Sequence, residues 1–471
     1  TGVQTCALPI LERLIYHVDV NSAYLSWEAT EQLKNGAEID IRDIPAIIGG
    51  DTARRKGVVL AKSIPAKAYG IRTGEPVTDA LKKCPELKSF SPDFKLYKKY
   101  SRAFIEILKK YAPVVEQVSI DEAYLDMSGL HYFYKNVTEA AELIQKEIRE
   151  TLKFTVNIGI SNCKVLAKMA SDFEKPDKIH TLFPSEIADK MWPLPVRELF
   201  FTGAAAAARL NSLGIRTIGD LANSDPTFIK SHLKSHGEVL WRYANGIDDS
   251  PVKEERDQAK GYGNSTTLSK DVTEYEEAAK ILLQLSETVA RRLRIDKIYA
   301  QTIDVEIKDY QFRKRSHQKV LDYSTNTTDD LYRISCQLFK ELWDGTPIRL
   351  LGVRCTKLTE EKIEPKKPEE KEPIPFLYEN EKSGQITMDF WMQEMQPQQN
   401  ETDNTKKSEN TAKRKHAGET NEMKKQATEE NARKHHRKME QLDAAMDKIR
   451  SKYGEKSIGR AGLLFRDDNE Q

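Results

Sequence analysis

Ile15-Tyr-His-Val-Asp-Val-Asn-Ser-Ala-Tyr24 and Val118-Ser-Ile-Asp-Glu-Ala-Tyr-Leu-Asp126 decide how this chain is read. Each string carries its acids, Asp19 in the first and Asp121 with Glu122 in the second, at the end of a short apolar run. Strands end that way, because a charge that the sheet cannot bury is left at its edge. Acids distant in sequence but brought to adjacent strand ends repel one another unless a divalent cation lies between them. The three therefore read as a hard oxygen-ligand site suited to Mg²⁺ bound to a substrate's phosphates.

Working outward, the first strand, 14–20, runs into Asn21 and Ser22, both good N-caps, and then into a helix that stops at Asn35-Gly36. Short strands are expected over 44–48 and 58–61, separated by Gly49-Gly50-Asp51 and the basic Arg54-Arg55-Lys56. Helical spacing over 96–111 precedes strands at 114–120 and 123–127, which meet at a turn exposing Asp121 and Glu122. A helix over 138–152 and a strand over 155–160 continue the alternation, which reads as an α+β sheet with helices on one face. From Leu194 short helices with Gly turns take over, of the kind that aim backbone amides at a phosphodiester. After a polar linker, a β-α-β-β-α-β pattern fills 262–358. Beyond it a polar tract, 396–436, holds too few apolar residues to fold alone, and a last amphipathic helix carries Met439, Leu442, Met446, Ile449 and Tyr453 near one face.

With 471 residues the chain is long enough for several cores. Charged residues make up 31 % of it but the net charge is only +1, so any surface that attracts nucleic acid must be local. Cys6, Cys84, Cys163, Cys336 and Cys355 are scattered, without metal-site spacing, and suit a reducing cytoplasm. No stretch is apolar enough to span a bilayer, so no membrane is expected. Thr1 to Ile10 begin without Met, match neither strand nor helix, and are read as foreign to the native gene.

Taken in order, HVDVNSAY, SIDEAYLD and IGISNCKVLAKMASDFEKPDKI resemble the Y-family translesion DNA polymerases of the bacterial DNA polymerase IV type, and the likeness runs from about Leu14 to about Lys357. The resemblance implies an α+β multidomain fold: a right-hand polymerase with palm (11–27 and 89–193), small fingers (28–88), helical thumb (194–248), linker (249–260) and β-α-β-β-α-β little finger (261–358). A largely disordered C-terminal tail (359–471) follows, holding a peptide at 385–390 and a helix at 438–453. It implies template-directed, error-prone extension of primers past damaged template, with low unaided processivity. Primer-template DNA and deoxynucleoside triphosphates are the implied substrates, and a cytoplasmic monomer is expected.

The resemblance also assigns residues. Asp19, Asp121, Glu122 and the main-chain carbonyl of Val20 would hold two Mg²⁺ ions, with Glu122 nearest the attacking hydroxyl. Tyr24 matches the aromatic steric gate against a ribose 2′-hydroxyl. Backbone amides from Asn21 through Ala23 to Tyr24, together with Lys175, would meet the triphosphate. In the fingers the family's Tyr-x-x-Arg pair stands here as Ile64 and Lys67, which keeps a point charge but loses the guanidinium fork and the hydroxyl. The run Ala204 to Ala208 keeps helix propensity while removing side-chain contacts to DNA. Arg291, Arg292, Arg294, Arg313, Lys314, Arg315 and Lys319 are candidate phosphate contacts in the little finger. Gln385, Met388 and Phe390 fit the bacterial sliding-clamp peptide Gln-x-x-Leu/Met-x-Phe. Two other classes share features: a catalytically silent DNA- and clamp-binding paralogue, which would not need all three acids, and a palm-fold nucleotidyl cyclase, which would not need the thumb, little finger or clamp peptide.

Overall fold

The computed structural model describes residues 13–50, 57–130, 133–255, 258–364, 437–455 and 457–460. Thr1 to Ile10, the basic residues 54–56, most of the polar tail and the 385–390 peptide lie outside the described residues. The chain divides into two units, one ending at Gln258 and the other beginning at Ala259.

In the first unit, β1 (Ile15–Val20) is followed by α1 (Ala23–Lys34), β2 (Ala46–Gly49), β3 (Val59–Lys62), α2 (Ile64–Ala68), α3 (Val77–Lys83) and β4 (Lys88–Phe90). Next come α4 (Phe94–Leu108), β5 (Val114–Gln117), β6 (Glu122–Asp126), α5 (Glu139–Leu152), β7 (Val156–Ser161), α6 (Lys164–Asp172) and β8 (Ile179–Thr181). The main sheet runs β5-β6-β1-β7-β8, antiparallel except for the β7–β8 pair. Alternation along β1 sends Tyr16, Val18 and Val20 into the core shared with α1, α4 and α5. Ile15 packs on the other side with Ala167 of α6, which shares its face with His17 and Asp19. Helices therefore cover both faces of this sheet, not one, and every residue of β7 is buried. Gly159 makes the α6 packing possible: a Cβ there would stand 1.9 Å from the Ala167 carbonyl oxygen and 2.4 Å from Ser171 N. Strands β3, β2 and β4 form a separate small sheet, whose parallel β4 edge the sequence reading did not include.

The same unit ends in short helices: α7 (Ala204–Ser212), α8 (Ile218–Ala222) and α9 (Pro226–Ala244). Thr217 and Asp220 close a reciprocal cap on α8. The alanine run does form a helix; Ala206 and Ala207 are buried with Leu210, while Ala204, Ala205 and Ala208 face solvent with nothing beyond a methyl group.

In the second unit β9 (Tyr262–Val272), α10 (Tyr275–Ile295), β10 (Tyr299–Asp309), β11 (Lys314–Thr325), α11 (Thr328–Leu342) and β12 (Ile348–Thr359) follow the β-α-β-β-α-β order. The antiparallel sheet runs β11-β10-β12-β9. Leu282, Leu285, Val289 and Leu293 of α10, and Leu331, Ile334, Leu338 and Phe339 of α11, recur at helical spacing and join the sheet's Ile303, Val305, Leu351 and Val353 in one core. Each such side chain contributes about 1.5–3 kcal/mol by leaving water. A last helix, α12, spans 437–453.

Candidate active site

Asp19 is the only residue of β1 that is not fully buried. Its Cα partners are Glu122 on β6 and Asn157 on β7. Asp121 sits just before β6, and its carbonyl accepts from Val20 N at 2.9 Å, tying the hairpin to the end of β1. Glu122 is the first residue of β6 and not a turn residue, and both acids are half-buried where the sequence pattern suggested exposure at a turn. The reason is register: the antiparallel β1–β6 pairing extends to the Asp19/Glu122 pair itself.

Helix α6 supplies the counter-charge. Lys164, Lys168 and Asp172 recur every four residues, on one face. Lys164 Nζ reaches both carboxylate oxygens of Glu116 at 2.7 Å. Lys168 Nζ lies 2.9 Å from Glu122 and 3.6 Å from Asp19. Lys175 Nζ pairs with Asp19 at 2.7 Å and Asp172 at 2.9 Å. Burial works against the charge on Lys168 and Lys175, but Asp19 and Asp172, joined at Lys168 by Glu122, outweigh it and hold both pKa values above the ordinary range.

His17, two places before Asp19 on the same strand face, is buried, which pushes its pKa down. The neutral ring that burial enforces donates from Nε2 to Glu122 at 3.3 Å and meets Ser171 Oγ at Nδ1, 2.8 Å away. That bond and Lys168 hold Glu122 down to about 2 despite its burial. Asp121 goes the other way: burial first, then Asp19 and Glu122, raise its pKa, although Ser119 Oγ donates to it at 2.5 Å. The residues the sequence reading missed here are His17, Ser119 and Lys168. Strand alternation pointed to His17 and four-residue spacing to Lys168; the contact of Ser119 depends on the hairpin's shape.

Asp19, Val20 and Asp121 open onto a cleft of about 470 Å³, also lined by Asn21, Ser22, Ala23 and Tyr24, by Lys175, and by Lys62, Ile64 and Lys67 opposite. Asn21 is largely spoken for: its amide donates to Thr155 O, and its side chain bonds Asn157, Thr155 and the amide of Asp177. Helix α1 begins after Ser22, in left-handed conformation, with no side-chain cap. The Tyr24 ring stacks on Tyr97 at 4.8 Å and 19° and meets Phe94 edge-on at 6.1 Å, so it is fixed on one side while the other lines the cleft. Ile64 is 62 % exposed. Burial, and then Lys67, lower the pKa of Lys62, the mark of two ammonium groups sharing one neighbourhood. A larger groove, about 890 Å³, lies along Val118 to Ile120 but holds none of the three acids.

Among the described residues no three acids, histidines or cysteines stand as a ready metal cage, and Glu122 is held by Lys168 and His17. The donors still fit a hard divalent cation. They are carboxylates with a main-chain carbonyl beside them, and the like charge that raises Asp121 is what such an ion would relieve. Gln385, Met388 and Phe390 lie outside the described residues. In the second unit the candidate phosphate contacts have partners on their own unit. Arg313 pairs with Asp309, Lys314 with Glu306 and Arg315 with Asp344, while Lys319 bonds Gln337 and Arg292 bonds the Gly263 carbonyl. Arg291 pairs with Glu455, just past the last helix, and with Asp447 on it, and Arg294 pairs with Asp443 and Asp447.

Residues 18–172 match the model of the impB/mucB/samB family, and 259–368 match the model of that family's C-terminal domain. DNA polymerase IV of Clostridium acetobutylicum is 49 % identical over 348 residues, 74 % of this chain and 88 % of that protein. DNA polymerase IV 1 of Bacillus subtilis is 37 % identical over 354 residues, 75 % of this chain and 84 % of that one. Among solved structures, a Y-family DNA polymerase chimera superposes with a TM-score of 0.64 at 24 % identity, covering 74 % of this chain and all of the other.

Proposed function

The chain belongs to the Y family of DNA polymerases, of the bacterial DNA polymerase IV type, and on that premise we propose how its residues carry out the reaction. It is a DNA-directed DNA polymerase of translesion synthesis that depends on divalent metal. The observation that carries the residue assignment is the pairing of Asp19 with Glu122 across β1 and β6, with Asp121 at the hairpin end and with Asp19 and Asp121 lining one cleft.

Asp19, Asp121, Glu122 and the carbonyl of Val20 would hold two Mg²⁺ ions. When bound, the metal lowers the pKa of the primer 3′-hydroxyl and neutralises charge on the triphosphate and the departing pyrophosphate. Lys168 and His17 keep Glu122 ionised and at hand, and Lys175 balances Asp19 at the mouth of the cleft. The amides at the start of α1 face the phosphates with the positive end of the helix. Lys62 and Lys67 line the opposite wall, where the mutual repulsion of two ammonium groups favours a polyanion between them. Tyr24, backed by Tyr97 and Phe94, cannot retreat from a ribose 2′-hydroxyl and so selects deoxynucleotides by shape.

Gln385, Met388 and Phe390 are proposed as the peptide through which a sliding clamp holds the enzyme on DNA, acting as a cytoplasmic monomer. Primer extension with Mg²⁺, comparing wild type with Asp121→Ala/Glu122→Ala, tests the catalytic assignment. Nucleotide addition that survives the double substitution overturns it, and no addition by wild type overturns the polymerase reading itself. Capture of sliding clamp by intact protein but not by Gln385→Ala/Phe390→Ala tests the peptide.

A further inference from the structure

We infer that the C-terminal helix is an intrachain clasp: α12 docks on α10 and the start of α11, takes Arg291 and Arg294 as its own ligands, and meets the residues that follow β12. The apolar spacing of this segment points to Leu442 and Tyr453 as its buried side, yet these are 42 % and 67 % exposed. The face that is buried carries Asp443, Met446 and Arg450, with Asp447 half-buried beside them. It is a charged face, and its charges match those of α10 in antiparallel order.

Glu287, Arg291 and Arg294 fall on one face of α10 at spacings of four and three. Arg450 meets Glu287 at 2.8 Å, Asp447 meets Arg291 at 3.8 Å, and Asp447 and Asp443 meet Arg294 at 2.6 and 3.1 Å. A shift of one helical turn would set Asp447 against Glu287 in one direction and Arg450 against Arg291 in the other, so the pattern favours this register. Asp443 also accepts from the amide of Thr328 at 2.8 Å, giving a partner to one of the donors that the first turn of α11 leaves free. Nη1 of Arg294 also reaches the Asn326 carbonyl and Thr328 Oγ1, so its guanidinium is held within the unit and is not offered to a phosphate. Lys362 and Glu440 stand 2.7 Å apart, which brings the described end of the chain after β12 and the start of α12 to one point.

Hydrogen exchange and primer-template titration on the full-length protein test this. With Asp443→Ala/Asp447→Ala, the amides of 437–453 and of Thr328 are expected to exchange at least about tenfold faster. Primer-template Kd and its salt slope are expected to stay within about twofold of wild type, since the arginines serve the helix and not DNA. Glu287→Arg alone should loosen the helix in the same way, and Glu287→Arg/Arg450→Glu should restore slow exchange, which separates lost register from a general failure to fold. Unprotected amides over 437–453 in wild type overturn the clasp. So does tighter, more salt-sensitive DNA binding by Asp443→Ala/Asp447→Ala, which would make the helix a mask over a DNA surface. The exchange arm stands apart from the polymerase reading, whose own control is wild-type binding to primer-template.

Discussion

On one wall of the cleft stands Asp19, whose pairing across β1 and β6 sets Glu122 beside it, and Lys168, Lys175 and His17 then neutralise or orient the two carboxylates at 2.7–3.3 Å. On the opposite wall Lys62, Ile64 and Lys67 sit on a short strand and a five-residue helix; Ile64 and Lys67 are exposed, and Lys62 Nζ donates to the Thr73 hydroxyl at 3.2 Å. The first wall is pre-organised, so the free energy of arranging its charges is spent during folding. The second remains adaptable, and its order has to come from the substrate. Chemistry demands the first kind of wall; a polymerase that accepts irregular template bases tolerates the second.

Breaking the ordered wall should cost most. Asp121→Ala/Glu122→Ala is expected to lower primer extension on the order of 10³-fold or more, about 4 kcal/mol of barrier, measured by single-turnover incorporation. Tyr24→Ala should lower discrimination against ribonucleotides on the order of 10²-fold and leave deoxynucleotide turnover largely intact, read from incorporation of matched ribo- and deoxynucleoside triphosphates. An unchanged ratio would remove the gate from Tyr24. Lys175→Ala, on the ordered side, should raise the nucleotide KM roughly tenfold, whereas Lys67→Ala, exposed on the other, should raise it only about threefold. Equal effects would erase the contrast between the walls.

The smallest effect concerns stability. Because the folded state raises the pKa of Asp121, that residue favours folding most at low pH, and its contribution is lost as pH rises through the folded value. Asp121→Asn, neutral at every pH, is therefore expected to melt a few degrees higher than wild type at pH 7 without metal, and at nearly the same temperature below the ordinary carboxylate value of 3.8.

The acids, the hairpin and the β-α-β-β-α-β unit were legible in the sequence because each is announced locally, by strand alternation, helical spacing or a turn. Strand β4 was not: it is three residues long, and its partner β2 lies some forty residues upstream in a parallel pair. Covering of both sheet faces was missed because the apolar residues of α6 look no different from those of a helix packed on one side. The surroundings of the last helix were hidden for a further reason. Its buried face is built of ion pairs, Arg294 with Asp447 among them, that join residues 153 apart, while apolar periodicity assigns charge to solvent.

The hydrogen atom at Gly159 acts as a spacer for the whole catalytic edge. Alanine there leaves every acid and lysine in the sequence untouched, yet its methyl group would press on the Ala167 carbonyl and the Ser171 amide and push α6 off the sheet like a lifted lever. Lys164, Lys168 and Asp172 travel with that helix, and Ser171 with them, so Glu116, Glu122 and His17 would lose their partners together. A substitution that is chemically silent and out of reach of any substrate would then be recorded, in an activity screen, as the loss of an active site.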